Sequence, residues 1–312
     1  MFALVAALAL GIADPAVGTS VEVQAPGPNG ALRGTMLSPP QAGAPLVVII
    51  PGSGPTDRDG NNPMGVSAAT YRLLAEALAT QGVASVRVDK RGMFGSAAAG
   101  NPSDVTIAGY ASDMRSWVSA LRARTGASCV WLLGHSEGAL VALMAREDGG
   151  VCGLILVAGA GRPLGQAMRE QLRANPANAP LLEQALAALD RLEARQPVDT
   201  AGMHPALLPL FAPPIQPYLM DLLSHDPAAM LRGYERPVLI LHGARDIQVA
   251  DADARALAAA NPNARLVVLP GVNHVLKQVA SDDRAANLAT YVNPALPLAD
   301  GVADAIAGFV RR

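Results

Sequence analysis

The sequence predicts an α/β protein: a doubly wound, mostly parallel sheet led by a β-hairpin and interrupted by one helical insertion. Three observations predict it. Short, apolar runs such as Pro45–Ile50, Ala84–Val88, Cys129–Leu133 and Gly153–Ala158 alternate with longer stretches of helical period. Strands buried on both faces and joined through helices form parallel sheets with right-handed crossovers. The alternation lapses from about Gly161 to Glu235, where proline-punctuated, helix-like stretches replace strands, and resumes with apolar runs at Pro237–Leu241 and Arg265–Leu269.

The elements follow in order. Val21–Gln24 and Leu32–Leu37 flank the turn-rich Pro26-Gly27-Pro28-Asn29-Gly30, which predicts the leading hairpin. Helical periodicity covers Ala68–Gln81 and Ile107–Arg124, and within the insertion Pro180–Arg195 and Pro217–Ser224. A helix at Asp251–Ala260 and a closing amphipathic helix at Leu298–Arg312 complete the pattern. The expected division is one core built from residues 19–160 and 236–312, carrying an insertion at 161–235.

Composition narrows the function classes. Of 312 residues, 51% are hydrophobic, 16% charged and 4% aromatic, with a net charge of -2, which fits a compact domain and offers no basic surface for nucleic acid. Phe2–Ile12 is an apolar run as long as a signal-peptide core and too short to span a bilayer, followed by the small-x-small Gly11-Ile12-Ala13. Residues 1–18 are therefore expected to be a leader and the protein exported, with no stable membrane insertion. No Lys or Arg precedes Arg33, so a packed N-terminal helix on a cytoplasmic protein is the alternative. Cys129 and Cys152 stand at the starts of consecutive expected strands. They are either two buried thiols or a disulfide, which would be worth about 3 kcal/mol for a loop of that length.

The stretch that carries chemistry is Gly134-His135-Ser136-Glu137-Gly138, between the strand ending at Leu133 and a helix over Ala139–Arg146. A serine on a sharp strand-to-helix turn has a strained backbone, needs small flanking residues, and projects its hydroxyl above the sheet. Here the chain, from about residue 20 to its end, resembles the α/β-hydrolase superfamily. The closest resemblance is to bacterial serine hydrolases of the esterase and serine-aminopeptidase-like branch.

That resemblance implies the order nucleophile, acid, histidine. Asp246 follows the strand Pro237–Leu241 and His274 follows the strand Arg265–Leu269, on loops at the same sheet edge as Ser136. Ser136 is the expected nucleophile, His274 the general base and acid, and Asp246 its orienting carboxylate. Asp251 and Asp253 read as helix caps, His135 as pointing away from Ser136, His242 as strand packing, and His204 and His225 as surface residues of the insertion, with contact to substrate the alternative.

The oxyanion donors are expected to be the backbone N–H groups of Glu137 and of Ser53 in Pro51-Gly52-Ser53-Gly54-Pro55, with Gly54 the rival to Ser53. This loop departs from the HGGG form of many lipases. Apolar residues of the insertion, among them Leu207, Phe211 and Tyr218, are candidates to roof a substrate pocket together with Gly54, or to pack the insertion onto the core. Asp57-Arg58-Asp59-Gly60-Asn61 fails as a calcium loop, its Gly arriving early and its twelfth position being Ala68. Asp89-Lys90-Arg91-Gly92 with Gly95-Ser96 resembles the D-x-R-G-x-G-x-S stretch of this fold, whose charges are expected to pin loops.

The expected activity is hydrolysis of a small-molecule carboxylic ester through an acyl-enzyme, with no metal or cofactor. Aminopeptidase or amidase, lactonase and thioesterase chemistry use the same three residues, and a binding protein on the same fold is the alternative outside catalysis. Serine rather than aspartate at position 136 argues against epoxide hydrolase and dehalogenase chemistry. No sequence feature fixes the number of subunits.

Overall fold

A computed structural model describes residues 17–174 and 176–311. The strands are β1 (Thr19–Pro26), β2 (Ala31–Ser38), β3 (Leu46–Ile50), β4 (Ala84–Val88), β5 (Val130–His135), β6 (Val151–Val157), β7 (Val238–Gly243) and β8 (Arg265–Leu269). They form one sheet in the order β1-β2-β4-β3-β5-β6-β7-β8. The leading hairpin pairs antiparallel over its whole length, Thr19 opposite Ser38 and Pro26 opposite Ala31, and β2 joins β4 antiparallel. Every pairing from β4 to β8 is parallel. The expected α/β architecture is present.

The helices are α1 (Thr70–Thr80), α2 (Ile107–Thr125), α3 (Glu137–Ala145), α4 (Leu164–Ala174), α5 (Leu182–Glu193), α6 (Leu208–Phe211), α7 (Gln216–Leu223), α8 (Pro227–Leu231), α9 (Asp251–Ala260), α10 (Arg284–Ala289) and α11 (Val302–Val310). Alternation along the central strands sorts them into two layers. Val48, Ile50, Leu132, Leu154 and Leu156 pack with Trp117 and Leu121 of α2 and Leu143 of α3. Val47, Ile49, Leu133 and Ile155 pack with Leu74 and Leu78 of α1 and Ile306 of α11. A two-residue side-chain period thus covers both faces of a sheet whose strands are apolar throughout.

Local chemistry sets the ends. Gly126, in the left-handed region with φ 75°, stops α2, and the Thr106 side chain caps its start by accepting from the Gly109 N–H. The closing helix is shorter than its expected span, because Gly301 turns left-handed with φ 82° directly before Val302. Helix α10 has no counterpart in the sequence reading; Asp283 caps it through the N–H groups of Ala285 and Ala286.

Helices α4 to α8 lie between β6 and β7, where the helical insertion was expected. They enclose a small core of their own around Leu189, Leu192, Leu207, Phe211 and Leu219. Asp253 of α9 and Asp221 of α7 tie this region to the helices that flank the sheet. Asp253 accepts from the N–H groups of Gly161 and Arg162, and Asp221 from the Ile107 N–H at 2.7 Å. Cys129 and Cys152 are joined as a disulfide, their Cα atoms 5.1 Å apart. The expected leader at residues 1–18 lies outside the described residues, apart from Val17 and Gly18. Among the described residues, no helix is long and apolar enough to cross a membrane.

Candidate active site

Ser136 occupies the sharp turn between β5 and α3 with φ 56° and ψ -122°, a region in which side-chain-bearing residues are strained. The flanking glycines are there for close approach. A Cβ on Gly134 would sit 2.0 Å from the carbonyl oxygen of Gly138, and one on Gly138 would sit 2.4 Å from that of Ile50. No larger residue fits where strand and helix cross so tightly. Gly134 thus allows the tight turn that lifts the serine above the sheet, and Gly138 lets the helix start pass close to the end of β3.

Asp246 follows β7 and His274 follows β8, at the edge where β5 ends in Ser136. Asp246 Oδ2 lies 2.7 Å from His274 Nδ1. Both side chains are almost wholly buried, 6% exposed for His274 and 0% for Asp246. Burial pushes the Asp246 carboxyl pKa up. The charge and hydrogen bond of His274, with the N–H groups of Val249 and Gln248, outweigh it and hold the pKa below the usual carboxylate value. Asp246 is thus ionised and His274 is held by Nδ1, leaving Nε2 as the ring atom for proton transfer. Ser136 and His274 line the same cavity, of about 150 Å³, together with Gly52, Ser53 and Tyr71.

Beneath this pair runs a chain of hydrogen bonds. The Gly52 N–H donates to the Tyr71 hydroxyl at 2.9 Å, Tyr71 meets His135 Nδ1 at 2.9 Å, and His135 Nε2 meets the His274 carbonyl oxygen at 2.8 Å. A carbonyl only accepts, so Nε2 carries the proton, Nδ1 accepts, and the Tyr71 O–H donates to it. Burial, with the neighbouring His274, pushes the His135 pKa down to about 3, so this ring stays neutral. The sequence reading gave His135 no role and overlooked Tyr71. An apolar-period helix containing one tyrosine carries no local signal of a partner far along the chain.

The charged stretch after β4 pins loops as expected. Asp89 takes Arg58 Nη2 at 2.6 Å and the Arg58 N–H at 3.0 Å, and Arg91 grips Asp113 through Nε and Nη2, both at 2.6 Å. Lys90 Nζ donates to the Gly52 carbonyl at 2.7 Å and lies 3.7 Å from Glu137 Oε1. Burial pulls the Lys90 pKa down while Glu137 opposes it. The Glu137 side chain is 6% exposed, and its Oε2 has no hydrogen-bond partner among the described residues.

Three sequence expectations are corrected, those for Leu207 and Phe211, for Asp253 and for Gly54. Leu207 and Phe211 line neither cavity beside Ser136; they fill the core of the insertion, whose short helices must bury an apolar face of their own. Tyr218 takes the other course the sequence left open: it packs the insertion against the main core and approaches the Glu137 carboxylate, and its burial raises its pKa. Asp253 is not a helix cap: it is buried and pairs with Arg162 Nη2 at 2.9 Å. His225 takes the alternative the sequence left open: it lines a largely apolar cavity of about 130 Å³ with Ser136, Glu137, Leu140, Leu222 and Val249. Gly54 adjoins Ser53 in the left-handed region with φ 69° and lines neither cavity, whereas Ser53 lines both. His204 is exposed and His242 buried in β7, as expected. Among the described residues, no group of three or more His, Cys, Asp or Glu could hold a metal ion, and Asp57 instead accepts from the N–H groups of Asp59 and Asn61.

Comparison with known proteins bears on the fold and the family. Esterase EstD of Thermotoga maritima is 28% identical over 252 residues, covering 78% of this chain and 58% of that protein, so the chain spans little more than half of that curated relative. Est1E of Butyrivibrio proteoclasticus superposes with a TM-score of 0.57 over 93% of this chain and 99% of its own, at 18% identity. The alpha/beta hydrolase GrgF from a Penicillium species superposes at 0.56 over 82% of this chain and 91% of its own, at 21% identity. At such identities these two structures speak to the fold alone. The profile of the alpha/beta hydrolase family matches residues 47–290, from the third strand past the histidine loop, and the chain belongs to that family.

Proposed function

We propose that the protein is a carboxylesterase that works through Ser136, His274 and Asp246. The observation that carries this reading is the 2.7 Å contact of Asp246 with His274, on the cavity that Ser136 enters from a strained turn. The esterase relative from Thermotoga maritima supports it.

In this reading His274 Nε2 takes the Ser136 proton as Oγ attacks the ester carbonyl. The imidazolium is stabilised by Asp246. The oxyanion accepts from the Glu137 N–H, which as the first of α3 has no intrahelical partner, and from the Ser53 N–H. His274 then returns the proton to the leaving alkoxide, and the acyl-enzyme is hydrolysed by water with His274 acting again as base. Helices α4 to α8 serve as a cap over Ser136, contributing Leu164, Leu222 and His225 to the apolar cavity. The Cys129–Cys152 bond favours an oxidising compartment, in line with an exported protein.

A second reading, an aminopeptidase, rests on Glu137, whose unpartnered Oε2 beside Ser136 could hold a substrate amine. Lys90 already opposes that charge, so the ester reading is preferred. The test is fluorophosphonate labelling and ester turnover in wild type and Ser136→Ala. Label and turnover lost together in the variant support the esterase. A folded wild type that takes no label sinks every serine-hydrolase reading, and label without ester turnover favours amides.

A further inference from the structure

Two cavities meet at Ser136 and share only Ser53 and Ser136 among their lining residues. They differ in chemistry. The first carries Thr56, Asn62, Gln248 and Tyr291. The second carries Leu140, Ala160, Leu164, Leu222, Pro227 and Val249. His274 lines only the first.

That asymmetry assigns the two halves of the substrate. The oxygen that leaves on formation of the acyl-enzyme takes its proton from His274, so the alcohol must lie on the His274 side. The acyl chain then extends to the other side, into the apolar cavity.

The polar cavity holds unspent hydrogen-bonding capacity. Tyr291 accepts from Gln248 Nε2 at 3.1 Å and keeps its own hydroxyl proton to give. Asn62 gives one amide proton to Thr56 Oγ1 at 3.2 Å and has a second. Gln248 Oε1 and Ser53 Oγ find no partner among the described residues. An alkyl alcohol would desolvate these groups without replacing their bonds to water, whereas a hydroxyl-rich alcohol would satisfy them.

The acyl side is different. Its wall is mostly aliphatic; Arg162 is engaged by Asp253 and Glu170, and the polar atoms that remain there are Glu137 Oε2 and His225 Nε2, which have no hydrogen-bond partner among the described residues. Both spaces are small, about 130 Å³ here and about 150 Å³ on the polar side, so they suit a short acyl chain and a small polyol or single sugar ring.

Resting on the esterase reading, we propose that the substrate is a short-chain acyl ester of a polyhydroxy alcohol, such as a sugar or polyol. The alcohol occupies the cavity at Tyr291 and Gln248, and the acyl chain the cavity at Leu164 and Leu222.

The test crosses two substrate series. Acetyl, butyryl and octanoyl esters of glycerol and of a methyl glycoside are compared with n-alkyl esters of the same acids, by kcat/KM. Wild type is expected to prefer the polyol esters about ten-fold or more at matched acyl chain, with the optimum at acetyl or butyryl. Tyr291→Phe and the exposed Gln248→Leu should each lower that preference about five-fold, one neutral hydrogen bond's worth. Leu164→Ala and Leu222→Ala should lengthen the preferred acyl chain and keep the polyol preference. Absence of a polyol preference overturns the proposal. So does the reverse pattern, with Tyr291→Phe changing acyl length and Leu222→Ala changing alcohol choice. Either result with Ser136 labelled and alkyl esters cleaved leaves the esterase standing; no label and no turnover of any ester fails the esterase reading itself.

Discussion

His135 Nε2 donates to the backbone carbonyl oxygen of His274 across 2.8 Å, so the residue just before Ser136 holds the loop that carries His274. Through Nδ1 and the Tyr71 hydroxyl the same ring reaches the Gly52 N–H, one residue before Ser53. One buried chain therefore fixes the spacing between the nucleophile turn, the histidine loop and the loop after β3. Tyr71→Phe removes one oxygen and leaves both the Gly52 N–H and His135 Nδ1 unpaired. A buried unpaired group costs about 1–3 kcal/mol, so ester turnover should fall ten-fold or more and the melting temperature with it. Steady-state kinetics and thermal melts of the variant check this; a Tyr71→Phe enzyme equal to wild type in both would remove the chain from the positioning of His274.

The strained backbone of Ser136 makes a separate prediction. At φ 56° and ψ -122° a glycine is more at ease than a residue bearing Cβ. Ser136→Gly should abolish ester turnover and melt higher than Ser136→Ala, the difference reflecting strain of about 1–3 kcal/mol. Calorimetry of the two variants side by side isolates the backbone term, since both lack the hydroxyl.

Asp246 sets the acid side of the stability profile. Its folded pKa is depressed, so its contribution is present above the unfolded Asp value of about 4 and is lost as pH falls through the lower folded value. Asp246→Asn should melt lower than wild type at pH 7, with the two curves converging as the pH drops below about 4. Its turnover should fall about 10³- to 10⁴-fold, because the amide no longer stabilises the imidazolium or selects the tautomer. Melting curves across pH, with rates at pH 7, test both statements.

The Cys129–Cys152 bond lies at the end of β5 and β6 away from Ser136, and closes a loop over a sequence separation of 23. Replacing both cysteines with alanine should cost about 3 kcal/mol of stability and leave ester turnover at moderate temperature close to that of wild type. Denaturant unfolding of the variant, beside wild type with and without reductant, measures it. Equal stability in all three would mean the bond does not constrain the unfolded chain.

Much of the molecule is legible in the sequence because its determinants are local. The β-branched runs define the parallel strands, the hairpin turn is written in Pro and Gly, and glycine at 134 is the only residue type that lets β5 and α3 cross around Ser136. Asp246 and His274 follow from a rule of the same kind: loops at the carboxyl ends of neighbouring parallel strands share an edge. The misplaced residues are those whose role depends on a partner far along the chain. Leu207 and Phe211 look like pocket residues until the insertion is seen to need a core. Asp253 reads as a cap until Arg162, 91 positions away, is found against it.

By itself the sequence determined the sheet, the insertion and the turn that carries Ser136, since each rests on side-chain period, turn chemistry or strand succession; the choice of Asp246 and His274 also needed the family resemblance. Only the tertiary structure decided that His135 supports His274, that Glu137 faces Lys90, that the two cysteines are joined, and that Ser136 stands between a polar and an apolar cavity. Those are contacts between segments separated by a whole crossover or more. Their partners are chosen by how the layers pack, and no local pattern of residues encodes that choice.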